Sequence, residues 1–205
     1  MQPPRIVRKN MEKEIIFATN NSHKVTEVSA MLGGGYALKT LREQGITEEV
    51  PEDQPTIEGN ALQKARYVYG RTGKDCFADD TGLEVEVLGG EPGVHSARYA
   101  TDGHDFEANV RLLLERMQGK TDRRARFRTV VALIKDGREY TFEGIVEGRI
   151  TECPSGEGGF GYDPVFVPDG FAETFSEMSP EQKNAISHRG IAISKLVEFL
   201  NGSLR

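Results

Sequence analysis

The sequence Phe77-Ala-Asp-Asp-Thr-Gly-Leu83 places two adjacent carboxylates between a short apolar run and a glycine. The run Cys76–Ala78 is typical of the end of a buried strand, and Gly82 would permit a sharp turn just beyond it. Because side chains alternate faces along a strand, Asp79 and Asp80 should point in different directions. One carboxylate can then face a site while the other faces supporting structure or a second ligand. Carboxylates at a strand end can bind Mg²⁺ or take a proton from water, although a solvated turn would explain the same residues.

A polar segment, Thr19-Asn-Asn-Ser-His-Lys24, lies between an apolar strand pattern at 14–18 and a helical pattern over 25–32. The segment therefore precedes a helix N-terminus, where backbone N–H groups and the helix dipole favour an anion. Its final lysine adds a positive charge. It is a candidate phosphate loop, but it lacks the spacing of a Walker A loop. Capping of the helix by Asn21 or Ser22 is the alternative interpretation.

Strand and helix patterns alternate along the rest of the chain, which indicates the α/β class. The predicted strands cover 36–40, 83–88, 124–134, 139–150 and 165–167, and further helices begin near Thr56, Asp105, Ser179 and Arg189. Asp136-Gly137 joins the two longest strand runs and is a strong hairpin signal. A long acidic loop, 41–55, precedes the second helix. Lys64 lies off the apolar stripe of that helix and could reach toward the loop or toward solvent.

Two segments near the C-terminus carry candidate binding residues. The glycine-rich segment Gly156–Pro164 contains two aromatic residues, and its glycines would let the backbone approach a ligand closely. An aromatic ring there can stack on a base, although a flexible loop with Phe160 in the core is the alternative. Lys183, His188 and Arg189 supply three hydrogen-bond donors within seven residues. A basic surface turn would account for the same three residues.

The composition limits the classes of protein to consider. The 205 residues suffice for one large domain or two small lobes, and we expect residues 1–12 to be an appended extension before a domain at 13–205. A net charge of -6 argues against a nucleic-acid binder that relies on general basicity. Cys76 and Cys153 are too few for a disulfide framework. The chain lacks an apolar run long enough for a membrane span, so a cytoplasmic protein is the simplest expectation.

Four motifs, in this order, closely resemble the inosine triphosphate pyrophosphatase family, also called the XTP/dITP pyrophosphatases. They are Thr19-x-Asn21-x-x-Lys24, Phe77–Leu83, Gly159–Pro164 and Ser187-His-Arg189. The resemblance runs from about Lys13 to the C-terminus. It implies an elongated mixed α/β fold with a central sheet, two lobes and a cleft between them, a homodimer, and Mg²⁺. The implied reaction hydrolyses ITP, dITP or XTP to the monophosphate and pyrophosphate and so cleanses the nucleotide pool.

The resemblance also implies roles for individual residues. Asp80 would bind metal and accept a proton, with Asp79 beside it, and Glu52 would be the second metal ligand. Thr81 stands where the family often has serine, and it keeps the hydroxyl group. The implied substrate-binding residues are Thr19, Asn20, Asn21, Ser22, His23, Lys24, Lys64, Thr81, Phe160, Gly161, Tyr162, Asp163, Lys183, His188 and Arg189. A nucleotide sensor that does not hydrolyse, or a pyrophosphatase for modified pyrimidine nucleotides, are the alternatives.

Overall fold

A computed structural model describes residues 13–32, 35–103 and 105–202. Its strands are β1 (Lys13–Phe17), β2 (Tyr36–Thr40), β3 (Cys76–Val85), β4 (Arg124–Lys135), β5 (Arg138–Ile150) and β6 (Phe166–Pro168). Its helices are α1 (Ser22–Leu32), α2 (Ile57–Thr72), α3 (Phe106–Arg116), α4 (Pro180–Ile186) and α5 (His188–Leu200). The strands form a six-stranded mixed sheet in the order β2-β1-β3-β4-β5-β6, which confirms the α/β prediction. The predicted extension, 1–12, lies outside the described residues.

The cleft begins where β1 ends. β1 is parallel to both of its neighbours, but its pairing with β3 covers only Ile16 with Cys76 and Phe17 with Phe77. On its other side β3 pairs with β4 along its whole length in an antiparallel arrangement. In the described part of the chain, Asp79 to Leu83 therefore have no strand on the β1 side. This free strand edge leaves room for a ligand beside the two carboxylates.

The expectation that a strand ends near Ala78 with a turn at Gly82 is wrong. β3 runs through Gly82 to Val85 because β4 pairs with every residue of it, so the two carboxylates lie within the strand. Gly82 is needed for close packing, since a Cβ there would lie 2.6 Å from the carbonyl oxygen of Gly93. The separate strand expected at 83–88 is also wrong, because its second half forms a 3-10 turn, Glu86–Leu88.

The predicted hairpin is confirmed. Asp136 and Gly137 both have positive φ values, 50° and 74°, as the two central residues of a type I′ turn require. β4 and β5 pair from Lys135–Arg138 at the turn to Arg124–Arg149 at the far end. β6 covers β5 only at Gly148–Ile150, so most of the outer edge of β5 carries no strand within the described residues.

Three apolar clusters divide the molecule into two lobes. In the first lobe, α2 covers one face of the sheet, and α1 and α5 cover the opposite face. In the second lobe, α3 and β6 pack on the far halves of β3, β4 and β5. The helices begin close to the predicted starts, and the side chains of Thr56, Asp105, Ser179 and Ser187 each accept a backbone hydrogen bond from the first turn. The cleft between the lobes thus has rigid elements on both sides.

Candidate active site

The loop after β1 brings a lysine into the cleft. Asn21 Oδ1 accepts hydrogen bonds from the backbone N–H groups of His23 (3.0 Å) and Lys24 (3.3 Å), which confirms the capping interpretation. Thr19 Oγ1 accepts from the Asn21 N–H in turn. This local network fixes the start of α1 so that Lys24 points inward. Its Nζ lies 2.9 Å from Asp79 Oδ1.

Asp79 is fully enclosed by cations. Its side chain is 1% exposed, and Arg189 Nε donates to its second carboxylate oxygen at 3.1 Å, opposite the Lys24 contact. Burial alone would raise the pKa of this carboxyl, but attraction from Lys24 and Arg189 outweighs it and holds the pKa below its ordinary value. Asp79 is therefore ionised and immobilised. It supports α1 and α5 from the strand between them.

Asp80 lies on the opposite face of β3, as strand alternation predicted. Lys64 Nζ is 3.0 Å from its Oδ1, and Asn60 Nδ2 donates to its Oδ2 at 3.3 Å. Burial raises the pKa of Asp80 above its ordinary value, against the pull of Lys64 and Lys24. Its side chain keeps 12% exposure and borders the cleft. A partly exposed carboxyl with a raised pKa is suited to accept a proton.

Lys64 links Asp80 to the acidic loop before α2. Its buried Nζ also lies 2.8 Å from Glu52 Oε2, so the lysine reaches the loop, and the solvent alternative is wrong. Arg98 fixes this loop by donating to the Glu52 carbonyl oxygen at 3.3 Å. Burial alone would raise the pKa of Glu52, but Lys64 lowers it below its ordinary value. Both carboxylates are therefore aimed at one point, which a cation already occupies.

These two carboxylates have the chemistry of a site for a divalent metal ion. Among the described residues, no group of three or more acidic, histidine or cysteine side chains is placed to hold a metal ion. Mg²⁺ usually binds through one or two carboxylates together with waters and substrate phosphates. The convergence of Glu52 and Asp80 on one ammonium group shows that their oxygens can share a cation. The donor set thus suits Mg²⁺ bound together with a phosphate ligand.

The other end of the cleft contains an aromatic ring between nitrogen-bearing side chains. The His23 ring stacks on Phe160 with 5.2 Å between centroids. Lys183 Nζ and the Arg189 guanidinium carbon lie 5.0 Å and 5.4 Å from the centroid of the Phe160 ring. Asp163 Oδ2 accepts from the Phe160 N–H (2.7 Å) and from Lys183 Nζ (2.8 Å), which holds the glycine-rich loop in place.

Glu27 is a site residue that the sequence analysis missed. It accepts hydrogen bonds from Lys183 Nζ, at 2.8 Å, and from the Arg189 guanidinium. It thereby ties α1 to α4 and α5. The sequence did hold a signal, because Glu27 follows Lys24 by three residues on a predicted helix and so shares its face.

His188 and Tyr162 are both buried in the wall of the cleft. His188 stacks on Phe127 with 4.4 Å between centroids, and its Nδ1 has no hydrogen-bond partner in the described part of the chain. Burial, followed by the charges of Arg189 and Lys183, lowers the pKa of His188 well below its ordinary value, so the ring is neutral. The Tyr162 hydroxyl donates to the Ser96 carbonyl oxygen at 2.9 Å.

The structure brings every predicted site residue into one cleft of about 540 Å³. The lining residues that the sequence analysis did not name as site residues are Leu83, Ser96, Ala97, Phe106 and Phe127. Ser96 bonds the free edge of β3, since its Oγ accepts from the Leu83 N–H at 2.9 Å. A larger neighbouring cavity of about 970 Å³ shares Phe160 with the cleft but contains none of the lysines or paired aspartates. The chemically equipped cavity is therefore the smaller one.

Fold and site together define a two-lobed α/β protein whose cleft carries clustered lysines and carboxylates at one end and an aromatic ring at the other. The chain belongs to the Ham1 family, whose model matches residues 15–199. It is 52% identical over 191 residues to a dITP/XTP pyrophosphatase of Porphyromonas gingivalis, covering 93% of this chain and 98% of that one. It is 45% identical over 190 residues to the enzyme of the same name from Flavobacterium johnsoniae, covering 93% and 99% of the two chains.

Solved structures agree with this assignment. The structure of the Staphylococcus aureus Ham1 protein superposes with a TM-score of 0.85 at 40% sequence identity, covering 93% of this chain and 99% of that chain. The two-lobed fold and the family are therefore established from both sequence and structure. In the described ranges, no helix has the length and apolar character needed to cross a membrane.

Proposed function

We propose that the protein hydrolyses non-standard purine nucleoside triphosphates, namely dITP, XTP and ITP, to the monophosphate and pyrophosphate. The observation that carries the proposal is the convergence of Glu52, Lys64 and Asp80 beside Lys24, in a cleft that ends at Phe160. The two lysines, and the point at which Glu52 and Asp80 share a cation, suit the charges of a triphosphate. The aromatic ring of Phe160 suits stacking on a base. The names of the relatives from P. gingivalis and F. johnsoniae point to the same activity.

At the phosphate end, Asp80 takes the proton of the attacking water. The water oxygen forms a new bond to the α-phosphorus, and the bond from that phosphorus to the bridging oxygen of the β-phosphate breaks. Pyrophosphate leaves with the bonding electron pair, and one water is consumed for each monophosphate formed. Lys24 and Lys64 stabilise the negative charge that develops on the leaving group. Lys64 Nζ lies 3.0 Å from Asp80 Oδ1, and Lys24 lines the same cleft.

Glu52 and Asp80 would hold Mg²⁺ at this end of the cleft. When bound, the ion supplies positive charge for the phosphates and lowers the pKa of a bound water. Asn60 orients Asp80 through the bond to Oδ2 and so keeps the other oxygen directed toward Lys64 and the cleft. Arg98 does the same for the Glu52 loop.

At the base end, Phe160 provides the stacking surface, and donors on α4 and α5 read the oxygen at position 6 of the base. Hypoxanthine and xanthine carry an acceptor there, whereas adenine carries an amino donor. Arg189 can only donate, but Asp79 and Glu27 already engage its guanidinium. His188 lines the cleft, and its neutral ring carries one N–H donor that no carboxylate among the described residues engages, so we assign it to read the base.

The test is pyrophosphate release from ITP, XTP, dITP, GTP and ATP in the presence of Mg²⁺. We expect kcat/KM for ITP and XTP to exceed that for ATP by about 10⁴-fold, because a mismatched base leaves buried donors unpaired. Tight binding of ITP without turnover would favour a sensor instead. Preferred turnover of modified pyrimidine nucleotides would favour the second alternative.

We further propose that the protein is a cytoplasmic homodimer. The long β4–β5 hairpin supports this proposal, since the outer edge of β5 from Arg138 to Glu147 carries no strand in the part of the chain described. Unpaired strand edges of this length are usually covered or blocked in soluble proteins. Light scattering at micromolar protein concentration should give twice the mass of one chain. A monomer mass would contradict the proposal.

A further inference from the structure

Lys64 occupies the point at which the two proposed metal ligands converge. Its Nζ lies 2.8 Å from Glu52 Oε2 and 3.0 Å from Asp80 Oδ1, and both contacts are charge-assisted hydrogen bonds. The side chain is 8% exposed, so water cannot easily replace either contact. A divalent cation bound by the same oxygens would stand within a few ångströms of this ammonium group. Two cations that close, in a partly buried site, repel each other strongly.

We propose that Lys64 occupies the metal position in the nucleotide-free protein, and that a divalent cation binds there only together with a triphosphate. The phosphate oxygens would replace Glu52 and Asp80 as the hydrogen-bond acceptors of the lysine. This inference rests on the metal ligands of the proposed function, but it does not depend on turnover.

The geometry explains why the triphosphate would release the lysine. Lys64 has a flexible four-carbon stem, so its ammonium group can move within the cleft without movement of α2. Phosphate oxygens would offer the ammonium group new acceptors, which would leave Glu52 and Asp80 free to hold the metal. The described residues supply only two carboxylates at this point, so the phosphates also complete the coordination of the metal.

Lys24 provides a matched control. It lies in the same cleft and carries the same charge, but its Nζ bonds Asp79 on the other face of β3. Replacement of either lysine by methionine removes one positive charge at a similar side-chain length. Only the replacement of Lys64 removes the cation that bridges Glu52 and Asp80.

The experiment measures Mn²⁺ binding to the nucleotide-free protein by the electron paramagnetic resonance signal of free Mn²⁺. Lys64→Met should bind Mn²⁺ at least about tenfold more tightly than the wild type, because the competing charge is gone. Lys24→Met should show a much smaller gain, and Lys64→Arg, which keeps the charge, should show none. Adding Glu52→Gln to Lys64→Met should abolish the gain.

Two results would overturn the inference: wild-type protein that binds Mn²⁺ as tightly as Lys64→Met, or a Lys24→Met gain equal to that of Lys64→Met. If Lys64→Met does not fold, the wild type alone decides. Without nucleotide, Mn²⁺ should bind weakly and leave the melting temperature unchanged, and tight binding would refute the inference. A protein that shows the Mn²⁺ difference but no pyrophosphate release would refute the proposed function and leave this inference standing.

Discussion

The two faces of β3 place neighbouring aspartates in different electrostatic environments. On one face, Asp79 is held by two cations, one on each carboxylate oxygen, and its side chain is 1% exposed. On the other face, Asp80 shares a single cation with Glu52 and borders the cleft. Burial by itself would raise the pKa of both carboxyl groups. With all neighbouring charges included, the pKa of Asp79 lies below its ordinary value and that of Asp80 lies above it.

The difference shows that the number of partners, more than burial, decides the role of each carboxylate. Each carboxylate oxygen of Asp79 already has a cationic partner, so Asp79 has no oxygen left for a ligand and its role is structural. Asp80 is left with a partly unmet demand for positive charge, which a metal or a proton can supply. Substitutions of equal size on the two faces should therefore have different consequences.

The largest effect on catalysis is expected from Asp80→Asn. The change removes the proposed proton acceptor and a proposed metal ligand at nearly constant side-chain size, so turnover should fall by about 10² to 10⁴-fold. Pyrophosphate release with ITP measures the loss, and circular dichroism with the melting temperature checks that the fold is kept. Turnover close to that of the wild type in a folded variant would remove Asp80 from the mechanism.

The largest effect on stability is expected from Asp79→Asn, the matched change on the opposite face. It leaves Lys24 without its carboxylate partner and Arg189 with Glu27 alone, and unpaired buried charges typically destabilise by about 3 to 5 kcal/mol. Urea unfolding at pH 7 measures the loss of free energy of unfolding. If Asp79→Asn proved as stable as Asp80→Asn, the distinction between the two faces would collapse.

Acid should erase much of the stability difference between the wild type and Asp79→Asn. The folded-state pKa of Asp79 lies below the unfolded value of about 3.9, so its ionised carboxylate contributes its full stabilisation only above about pH 5. As the pH falls further, Asp79 becomes protonated in the unfolded wild type but stays ionised in the folded protein, so the stability of the wild type declines. The raised pKa of Asp80 acts in the opposite sense but equally in both proteins. Urea unfolding at pH 7, 4 and 3 should show a shrinking gap, and a constant gap would contradict this origin of the stability.

The sequence predicted the directions of the two aspartates on β3 better than it predicted the extent of the strand or the partners of the two side chains. Alternation along a strand was enough to place Asp79 and Asp80 on opposite faces, and Asp136-Gly137 was enough to place the hairpin turn. The extent of β3 was not predictable, because Gly82 lies in the strand for a reason of packing against Gly93, eleven residues away. Local patterns also give no access to partners from distant segments. Arg189 meets Asp79 across 110 positions of sequence, and only the folded chain brings them together.

The roles predicted for the cleft residues depend on the four motifs taken together, because each motif alone had an ordinary structural explanation. A structural role and a position in the cleft are compatible for the same segment. Asn21 caps α1, and in doing so it directs Lys24 into the cleft. Glu27 was missed because a glutamate on a helix is usually a solvated residue. Its partners, Lys183 and Arg189, come from the other end of the chain.

The smallest expected effect sharpens the comparison on the Asp79 face. Thr129 is fully buried on β4, and its hydroxyl lies 2.6 Å from that of Thr81, which is also 3.4 Å from the Arg189 guanidinium. Thr129→Val removes this hydroxyl with little change of shape, and it should cost about 1 kcal/mol of unfolding free energy. Activity should change little, because Thr129 lies outside the cleft lining and all charges remain in place.

A double-mutant cycle with Thr81→Val isolates the contact between the two hydroxyls. If Thr81 serves mainly to support the cation cluster around Asp79, the two changes should be coupled by about 0.5 to 1.5 kcal/mol in urea unfolding. If Thr81 instead serves mainly the ligand, the stability effects should be additive, and Thr81→Val should raise KM for ITP while Thr129→Val does not. The cycle therefore decides whether Thr81 mainly supports the cations around Asp79 or mainly contacts the ligand.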